Sequence, residues 1–201
     1  MIRLERDGAL WVVTLDRPDK ANSLTREMLE ELAKIAEAAA EDAQVLVLTG
    51  AGRVFSAGAD LDEARAGLAT SPLWERLSGA IAGAPILTIA ALNGTLAGGA
   101  MGMALACDLR IAVAEAKFFY PVMKLGFLPQ PSDPKRLAAL VGPARAKMIL
   151  MAGQKVRAEE ARDWGLVDRI VEGDVVDAAR ELAADALAAR PEHVAGIKGL
   201  I

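Results

Sequence analysis

Two uninterrupted apolar segments constrain the fold of this chain more than any other feature. Residues 43–50 read AQVLVLTG and residues 85–93 read PILTIAALN, and neither run contains a charged residue. Strands that are apolar on both faces are typical of parallel sheets covered by helices on both sides. Each run follows a segment with apolar residues at helical spacing, residues 26–42 and residues 71–84. This alternation predicts an α/β domain with mainly parallel strand pairing.

Composition narrows the class of protein. Hydrophobic residues make up 53% of the 201 residues and charged residues 25%, which is typical of a globular domain. The net charge of −4 shows no excess of Lys and Arg, which a nucleic-acid-binding domain usually has. No segment reaches the roughly 18 uncharged apolar residues of a membrane span. The N-terminal residues carry charges and lack the uninterrupted apolar core of a signal peptide. We therefore expect a soluble, cytoplasmic protein with no nucleic-acid or membrane partner.

Two glycine-bearing loops connect strand-like runs to helix-like segments. One is residues 52–61, GRVFSAGADL, with Gly58, and the other lies in residues 93–108, NGTLAGGAMGMALACD, with Gly98 and Gly99. Helix N-termini present free N–H groups and favour negative charge, and glycine lets a ligand approach them closely. Two such loops that converge on one oxygen would form an oxyanion hole. Turn formation or close packing is the alternative explanation of the same glycines.

Several common chemistries do not fit the sequence. A G-x-G-x-x-G dinucleotide fingerprint would need glycine at position 97, which is alanine, and no Gly-Lys-Ser/Thr of a P-loop occurs. The single histidine, His193, lies near the C-terminal end, so Ser-His catalysis within the chain and a His-rich metal site are excluded. We expect no metal. The single cysteine, Cys107, lies in an apolar run and is expected to be a small buried residue.

The order of five motifs resembles the crotonase (enoyl-CoA hydratase/isomerase) superfamily along essentially the whole chain. The motifs are LDRPDKANSL, VLTGAGRVFSAGADL, LNGTLAGGAMGMALACDLRIA, AKFFYP with the later LGFLP, and EEARDWGLVDRIV. The resemblance implies a crotonase-like spiral of ββα units, assembled as a homotrimer or hexamer. It also implies that an acyl-CoA thioester is the substrate and that no cofactor is bound permanently.

The resemblance also implies site residues. The oxyanion hole would use the N–H groups of Ala59, in FSAGAD, and Gly99, in the glycine pair. The coenzyme A moiety would lie along the KANSL segment and the AGADL loop. Its expected contacts are Lys20, Ala21, Ser23, Ala57, Asp60 and Leu61. Lys20 has the alternative interpretation of an ordinary solvated lysine.

The acid residues that such enzymes use are missing from their expected positions. Hydration of an enoyl thioester needs one group to activate water and another to protonate the α-carbon. The two positions of the hydratase glutamates hold Gly102 and Val122, and a third acid position of the family holds Gln130. Standard hydration is therefore in doubt.

Three other side chains are candidate proton donors. Tyr120 directly precedes Pro121 and Val122, where the resemblance implies a Pro-Glu pair. Asp133 lies in the PQPSDP loop, and Glu75 lies in the helix-like segment SPLWERL. Each has a structural alternative: Tyr120 as a packing residue, Asp133 as a turn or N-cap residue, and Glu75 on a solvated helix face.

Two functions fit the sequence. One is an acyl-CoA enzyme that stabilises a thioester enolate and carries out decarboxylation or another enolate reaction, because loss of CO2 needs little beyond the oxyanion hole and a proton source. The alternative is a catalytically silent acyl-CoA-binding or regulatory subunit. We expect residues 1–201 to be a single crotonase-like domain that lacks the usual C-terminal helical extension.

Overall fold

Ten strands form two sheets in the computed structural model, which describes residues 1–201 throughout. The larger sheet contains, in spatial order, β1 (Ile2–Asp7), β2 (Leu10–Leu15), β3 (Val45–Gly50), β5 (Leu87–Leu92), β7 (Leu109–Val113) and β10 (Arg169–Val171). The smaller sheet contains, in spatial order, β4 (Val54–Ser56), β6 (Thr95–Ala97), β8 (Lys117–Phe119) and β9 (Val156–Arg157). Pairing is antiparallel at β1–β2 and β8–β9 and parallel elsewhere, so the prediction of mainly parallel sheets is confirmed.

Helices follow the strands in most connections. They are α1 (Arg26–Asp42), α2 (Leu61–Arg65), α3 (Leu73–Gly83), α4 (Met101–Ala106), α5 (Val122–Leu125), α6 (Asp133–Val141), α7 (Pro143–Leu150), α8 (Ala158–Trp164), α9 (Val175–Leu182), α10 (Ala184–Ala188) and α11 (Pro191–Lys198). Single 3-10 turns cover Pro18–Lys20, Leu68–Thr70 and Gly98–Ala100. Helices α9 and α10 are separated only by Ala183, whose ψ is −6°. None of the helices has the length and apolar character needed to cross a membrane.

The connections between the sheets repeat a single unit. Strand β3 leads to β4 and then to helices α2 and α3, β5 leads to β6 and α4, and β7 leads to β8 and α5. Each unit therefore places one strand in each sheet before its helix. This is the spiral of ββα units that the resemblance implies, and the fold prediction is confirmed.

The central strands of the larger sheet are buried on both faces. Side chains alternate across a strand, so Val45 and Val47 face α9 in a small apolar cluster, whereas Leu46 and Leu48 face the main core. Helices α1, α3 and α4 pack with one another on the main-core side. This double covering explains why the strands read as continuous apolar runs, and it fixes the strand ends from which the glycine-bearing loops start.

Candidate functional site

The two glycine-bearing loops contact each other. Gly58 and Gly98 have φ values of +94° and +58°, a region that favours glycine. A Cβ atom on Gly58 would lie 2.9 Å from the Ala97 carbonyl oxygen and 3.4 Å from the Gly99 nitrogen. Glycine is therefore required here for close approach as well as for backbone conformation, and the loops at the ends of β4 and β6 share one surface.

Two backbone N–H groups on these loops have no partner in the chain. Leu24 donates its N–H to the Gly58 carbonyl (2.8 Å) and accepts from the Asp60 N–H (2.9 Å), so Ala59 between them directs its own N–H away from Leu24. Gly99 is the second residue of the 3-10 turn Gly98–Ala100, where an N–H has no intrahelical acceptor. The structure thus brings the loops that carry the two expected oxyanion donors into contact.

An apolar slot of about 110 Å³ opens beside these N–H groups. Ala59 and Gly99 line it together with the aromatic side chains Trp74 and Tyr120. An apolar cavity of roughly 150 Å³ can hold a benzene ring, so this slot fits the reacting end of a small acyl group. Eleven of its fifteen lining residues are hydrophobic, which strengthens any hydrogen bond that a ligand makes to the free amides.

The segment before α1 is hydrogen-bonded to the first loop. Ala57 donates its N–H to the Ala21 carbonyl (2.9 Å), and the Ser56 hydroxyl donates to the Asn22 carbonyl (2.8 Å). Together with the two bonds of Leu24, these contacts place residues 21–24 alongside residues 56–60. The expected coenzyme A contacts Ala21 and Ser23 therefore lie next to the expected contact Ala57, which itself lines the slot.

Asn22 organises this region, although it was not among the residues expected at the site. It is fully buried, its φ is +52°, and its amide nitrogen donates to the carbonyls of Ala51 (2.9 Å) and Val54 (2.7 Å). Its amide oxygen accepts from the Arg17 N–H at 2.9 Å. The signal in the sequence was an asparagine among turn residues, since asparagine tolerates left-handed backbone and bonds to nearby main chain.

The charged candidates for coenzyme A binding differ in exposure and partners. Lys20 is exposed and lies at the end of the 3-10 turn Pro18–Lys20. Asp60 caps α2 through the Asp62 N–H (3.1 Å) and pairs with Arg17 at 2.8 Å. The hydrogen bond from Arg17 holds the pKa of Asp60 below its ordinary value. Leu61 is 68% exposed and lies on the rim of the slot.

The three expected acid positions differ in their relation to the slot. Val122 and Gln130 line it, and the Gln130 amide nitrogen donates to the Ala69 carbonyl at 3.0 Å. Gly102 lies behind it, fully buried in α4. A Cβ atom on Gly102 would lie only 2.7 Å from Asp133 Oδ1 and 3.1 Å from Oδ2. A carboxylate from another helix therefore occupies the space next to Gly102, the position where the resemblance implies a glutamate.

Tyr120 connects that carboxylate to the slot. Its hydroxyl donates a hydrogen bond to Asp133 Oδ2 at 2.9 Å, while Asp133 Oδ1 has no hydrogen-bond partner. Asp133 has no exposed surface, and Tyr120 is 4% exposed. Asp133 was a candidate proton donor whose structural alternative was a turn or N-cap residue. It is the first residue of α6, and its side chain points into the core, where Gly102 leaves room for it.

Burial governs the ionisation of this pair. Desolvation raises the pKa of Asp133 to about 6; the Tyr120 hydrogen bond and Arg136 oppose the shift, and Glu75 adds to it. Desolvation, followed by the negative charge of Asp133, raises the pKa of Tyr120 far above its ordinary value. Asp133 is thus a carboxyl group that can gain or lose a proton near neutral pH.

Glu75 has a different place. Its carboxylate accepts from the Ser132 N–H (3.0 Å) and from the Ser132 hydroxyl (2.5 Å). It does not line the slot. Glu75 therefore ties α3 to the start of α6 rather than lying on a solvated helix face, and it helps to hold Asp133 in position.

Hydrophobic residues around the slot were also missed by the sequence analysis. The Trp74 ring packs against Gly99, where a Cβ atom would lie 3.2 Å from three ring carbons, and its indole N–H donates to the Leu68 carbonyl at 2.8 Å. Phe127 and Leu128 line the slot from the following loop and are 39% and 87% exposed. The available signal was the set of large apolar side chains within a loop rich in proline and glycine.

Comparisons with known proteins show the family of this chain. The family model described as enoyl-CoA hydratase/isomerase matches residues 5–200. A short-chain-enoyl-CoA hydratase from Clostridium acetobutylicum is 35% identical over 193 residues, which cover 90% of this chain and 72% of the relative. A carnitinyl-CoA dehydratase from Escherichia coli strain K12 is 36% identical over 207 residues, covering 98% of this chain and 78% of the relative.

Solved structures show the same similarity. The crystal structure of an enoyl-CoA hydratase from Bacillus anthracis superposes with a TM-score of 0.89 at 31% identity and covers 98% of this chain and 81% of its own. DspI from Pseudomonas aeruginosa superposes with a TM-score of 0.91 at 34% identity, covering 99% and 85% respectively. The chain is a member of the enoyl-CoA hydratase/isomerase family, within the crotonase superfamily of acyl-CoA enzymes.

Proposed function

We propose that this protein stabilises the enolate of a small acyl-CoA thioester in an oxyanion hole made by the Ala59 and Gly99 N–H groups. The observation that supports it is the pair of unpartnered amides on two touching loops, beside an apolar slot. In this proposal both amides point toward the oxygen that gains negative charge, which is how an oxyanion hole lowers a barrier. In this proposal the thioester enters as substrate and no cofactor is bound permanently.

The reaction that we propose passes through the enolate without the hydratase glutamates. Loss of CO2 from a malonyl-type thioester leaves an enolate whose oxygen the two amides would hold. Protonation of the α-carbon then completes the reaction. Literal hydration of an enoyl thioester would also need a group that activates water, and Gly102 and Val122 supply none.

The coenzyme A moiety would lie along residues 20–23 and the rim of the slot at Leu61. Support comes from the hydrogen bonds that join residues 21–24 to residues 56–60, since they place the expected contacts on one continuous surface with Ala57. Lys20 is exposed and would bind the phosphates in this proposal, whereas Asp60 would act through its cap of α2 and its pair with Arg17.

We also propose a homotrimer or hexamer. Several large hydrophobic side chains are strongly exposed, which is unusual for a free surface when they cluster. They include Met123, Leu125 and Leu128 in the loop around α5. Gel filtration with light scattering tests this assembly, and a purely monomeric protein would contradict it.

A matched pair of substitutions tests the oxyanion hole. Gly99→Pro removes the N–H, whereas Gly99→Ala keeps it and adds the same Cβ atom against Trp74. The assay incubates each protein with enoyl-, malonyl- and methylmalonyl-CoA and follows products by mass spectrometry. We expect Gly99→Pro to lose about 100- to 1000-fold in kcat relative to Gly99→Ala, the usual effect of deleting one oxyanion donor.

The alternative is a catalytically silent acyl-CoA-binding subunit, and the missing glutamates favour it. In the same assay, binding of the thioesters without any product would support this alternative. Equal turnover by Gly99→Pro and Gly99→Ala would refute the proposed role of the Gly99 amide.

A further inference from the structure

The Tyr120–Asp133 pair is built into the wall of the slot and has no evident structural purpose. Asp133 is completely buried, yet Oδ1 has no hydrogen-bond partner. An unpaired carboxylate oxygen in the interior destabilises the folded state, so a purely structural side chain would be expected to satisfy it. Such an arrangement is found where a group must change its protonation state.

The carboxylate also occupies space that a glycine leaves free. Any side chain at position 102 would collide with Asp133, because a Cβ atom there would lie 2.7 Å from Oδ1. Helix α4 thus has no side chain at Gly102, and the Asp133 carboxyl group of α6 fills the space. An acidic group is thereby retained beside the slot although the sequence position is empty.

We propose that Tyr120 and Asp133 form the proton-transfer pair for the α-carbon of the bound thioester. This inference rests on the proposed acyl-CoA site. In the forward direction, the Tyr120 oxygen accepts the α-hydrogen as a proton while the Tyr120 hydroxyl proton moves to Asp133 Oδ2. The electron pair of the broken C–H bond becomes the enolate, held at the oxyanion hole. In reverse, Asp133 returns its proton to Tyr120, and Tyr120 protonates the enolate carbon.

The geometry fits each part of this exchange. Tyr120 lines the slot, and its hydroxyl donates to Asp133 at 2.9 Å. The proposal requires the phenol oxygen to face the bound substrate. The phenol alone is too weak an acid to donate its proton unaided, and a proton moving between the two oxygens avoids a free phenolate. Asp133 therefore acts through Tyr120 and is a positioning and proton-storing residue.

The charged and titratable groups around Asp133 define its pH response. Tyr120 faces it from the end of β8, Glu75 from α3 and Arg136 from its own helix, while α4 contributes none. Burial keeps the pKa of Asp133 near 6, so abstraction of the α-hydrogen should increase as the pH rises through that value. Glu75 is occupied by Ser132 and does not replace Asp133.

Exchange of α-hydrogens of butyryl-CoA with D2O tests the pair without knowledge of the natural reaction. Calorimetric titration first measures butyryl-CoA binding, and mass spectrometry then follows deuterium incorporation between pH 5 and 8. We expect the native protein to catalyse exchange that rises through about pH 6. Tyr120→Phe and Asp133→Asn should bind butyryl-CoA but exchange at least about 100-fold more slowly. Asp133→Asn should also lose the pH dependence.

Asp168→Asn is the matched control. Asp168 accepts hydrogen bonds from the Arg110 backbone N–H (2.7 Å) and side chain (3.1 Å), away from the slot, so this variant perturbs folding but should keep the exchange rate and the pH profile. Binding by the native protein with no exchange would overturn the proton-transfer pair alone. Exchange by Tyr120→Phe within about threefold of native would also overturn it. Absence of butyryl-CoA binding by the native protein would instead overturn the acyl-CoA site on which the pair depends.

Discussion

The contact between Gly102 and Asp133 predicts that Gly102→Ala has opposite effects on stability in the presence and absence of the Asp133 carboxylate. Gly102 lies in α4, and glycine in a helix interior is less favourable than alanine by about 1 kcal/mol. Gly102→Ala should therefore stabilise the helix if nothing opposes the new methyl group. In the native protein Asp133 opposes it.

The size of the conflict follows from the distances. The new Cβ atom would lie 2.7 Å from Asp133 Oδ1, 3.1 Å from Oδ2 and 3.2 Å from Cγ, all shorter than ordinary van der Waals contact. Overpacking of a filled core costs roughly 1–3 kcal/mol, and displacement of Asp133 also breaks its hydrogen bond with Tyr120. We expect Gly102→Ala to lower the free energy of unfolding by about 1–2 kcal/mol after the helical gain is subtracted.

Removal of Asp133 should reverse the sign. In the Asp133→Ala background the obstructing carboxylate is gone, so adding Gly102→Ala should raise the free energy of unfolding by up to about 1 kcal/mol. Urea denaturation at pH 7 of the native protein, both single variants and the double variant measures the coupling, which should be about 2–3 kcal/mol.

Gly79→Ala is the matched control for helical propensity. Gly79 is an exposed glycine of α3, and nothing lies within 4 Å of the position that its Cβ atom would take. Gly79→Ala should raise the free energy of unfolding by about 1 kcal/mol in both the native and the Asp133→Ala background. If Gly102→Ala stabilises the native protein as Gly79→Ala does, the reasoning that Asp133 fills the space beside Gly102 is refuted.

Three further predictions concern other buried groups. Because burial raises the pKa of Asp133 from 3.8 to about 6, the folded state binds more protons than the unfolded state between these values. The free energy of unfolding should therefore fall by about 2–3 kcal/mol from pH 4 to 7. Asp133→Asn should remove this component in urea titrations, and an unchanged pH slope would contradict it. Asn22→Gly tolerates the left-handed backbone but loses three hydrogen bonds, so it should lower the free energy of unfolding by about 2–4 kcal/mol in urea denaturation, and an unchanged urea midpoint would contradict this. Burial raises the pKa of the Cys107 thiol to about 12, so its labelling by iodoacetamide at pH 8 should require unfolding, and rapid labelling of the native protein would show that the thiol is accessible.

The parts of the fold that were predicted from sequence are those set by local pattern. Runs such as residues 43–50 are buried on both faces, and their continuous apolar character identifies them as covered strands. The start of α1 is likewise set by a local residue type, because threonine is a common N-cap and the Thr25 side chain accepts from the Met28 N–H at 3.2 Å. The turn at Asp7-Gly8 joins β1 and β2 as its residue types indicate.

The parts of the candidate site that sequence did not reveal depend on tertiary contacts. Asp133 and Gly102 lie on different helices, and no local pattern reports that one fills the space left by the other. Trp74 was equally hidden, because a tryptophan at helical spacing indicates burial and not the loop against which its ring packs. The two glycine-bearing loops were recognisable individually, whereas their contact at Gly58 follows from the parallel pairing of β4 with β6.

The ladder of hydrogen bonds between residues 21–24 and residues 56–60 has a consequence for protein engineering. The Leu24 main chain forms hydrogen bonds on both sides of Ala59. The segment expected to bind coenzyme A is therefore joined directly to the Ala59 amide expected to bind the thioester carbonyl. A design that replaces coenzyme A by a different carrier, such as a phosphopantetheine arm on a protein, would have to rebuild both segments together. Grafting either segment alone would shift the donor relative to the bond that reacts.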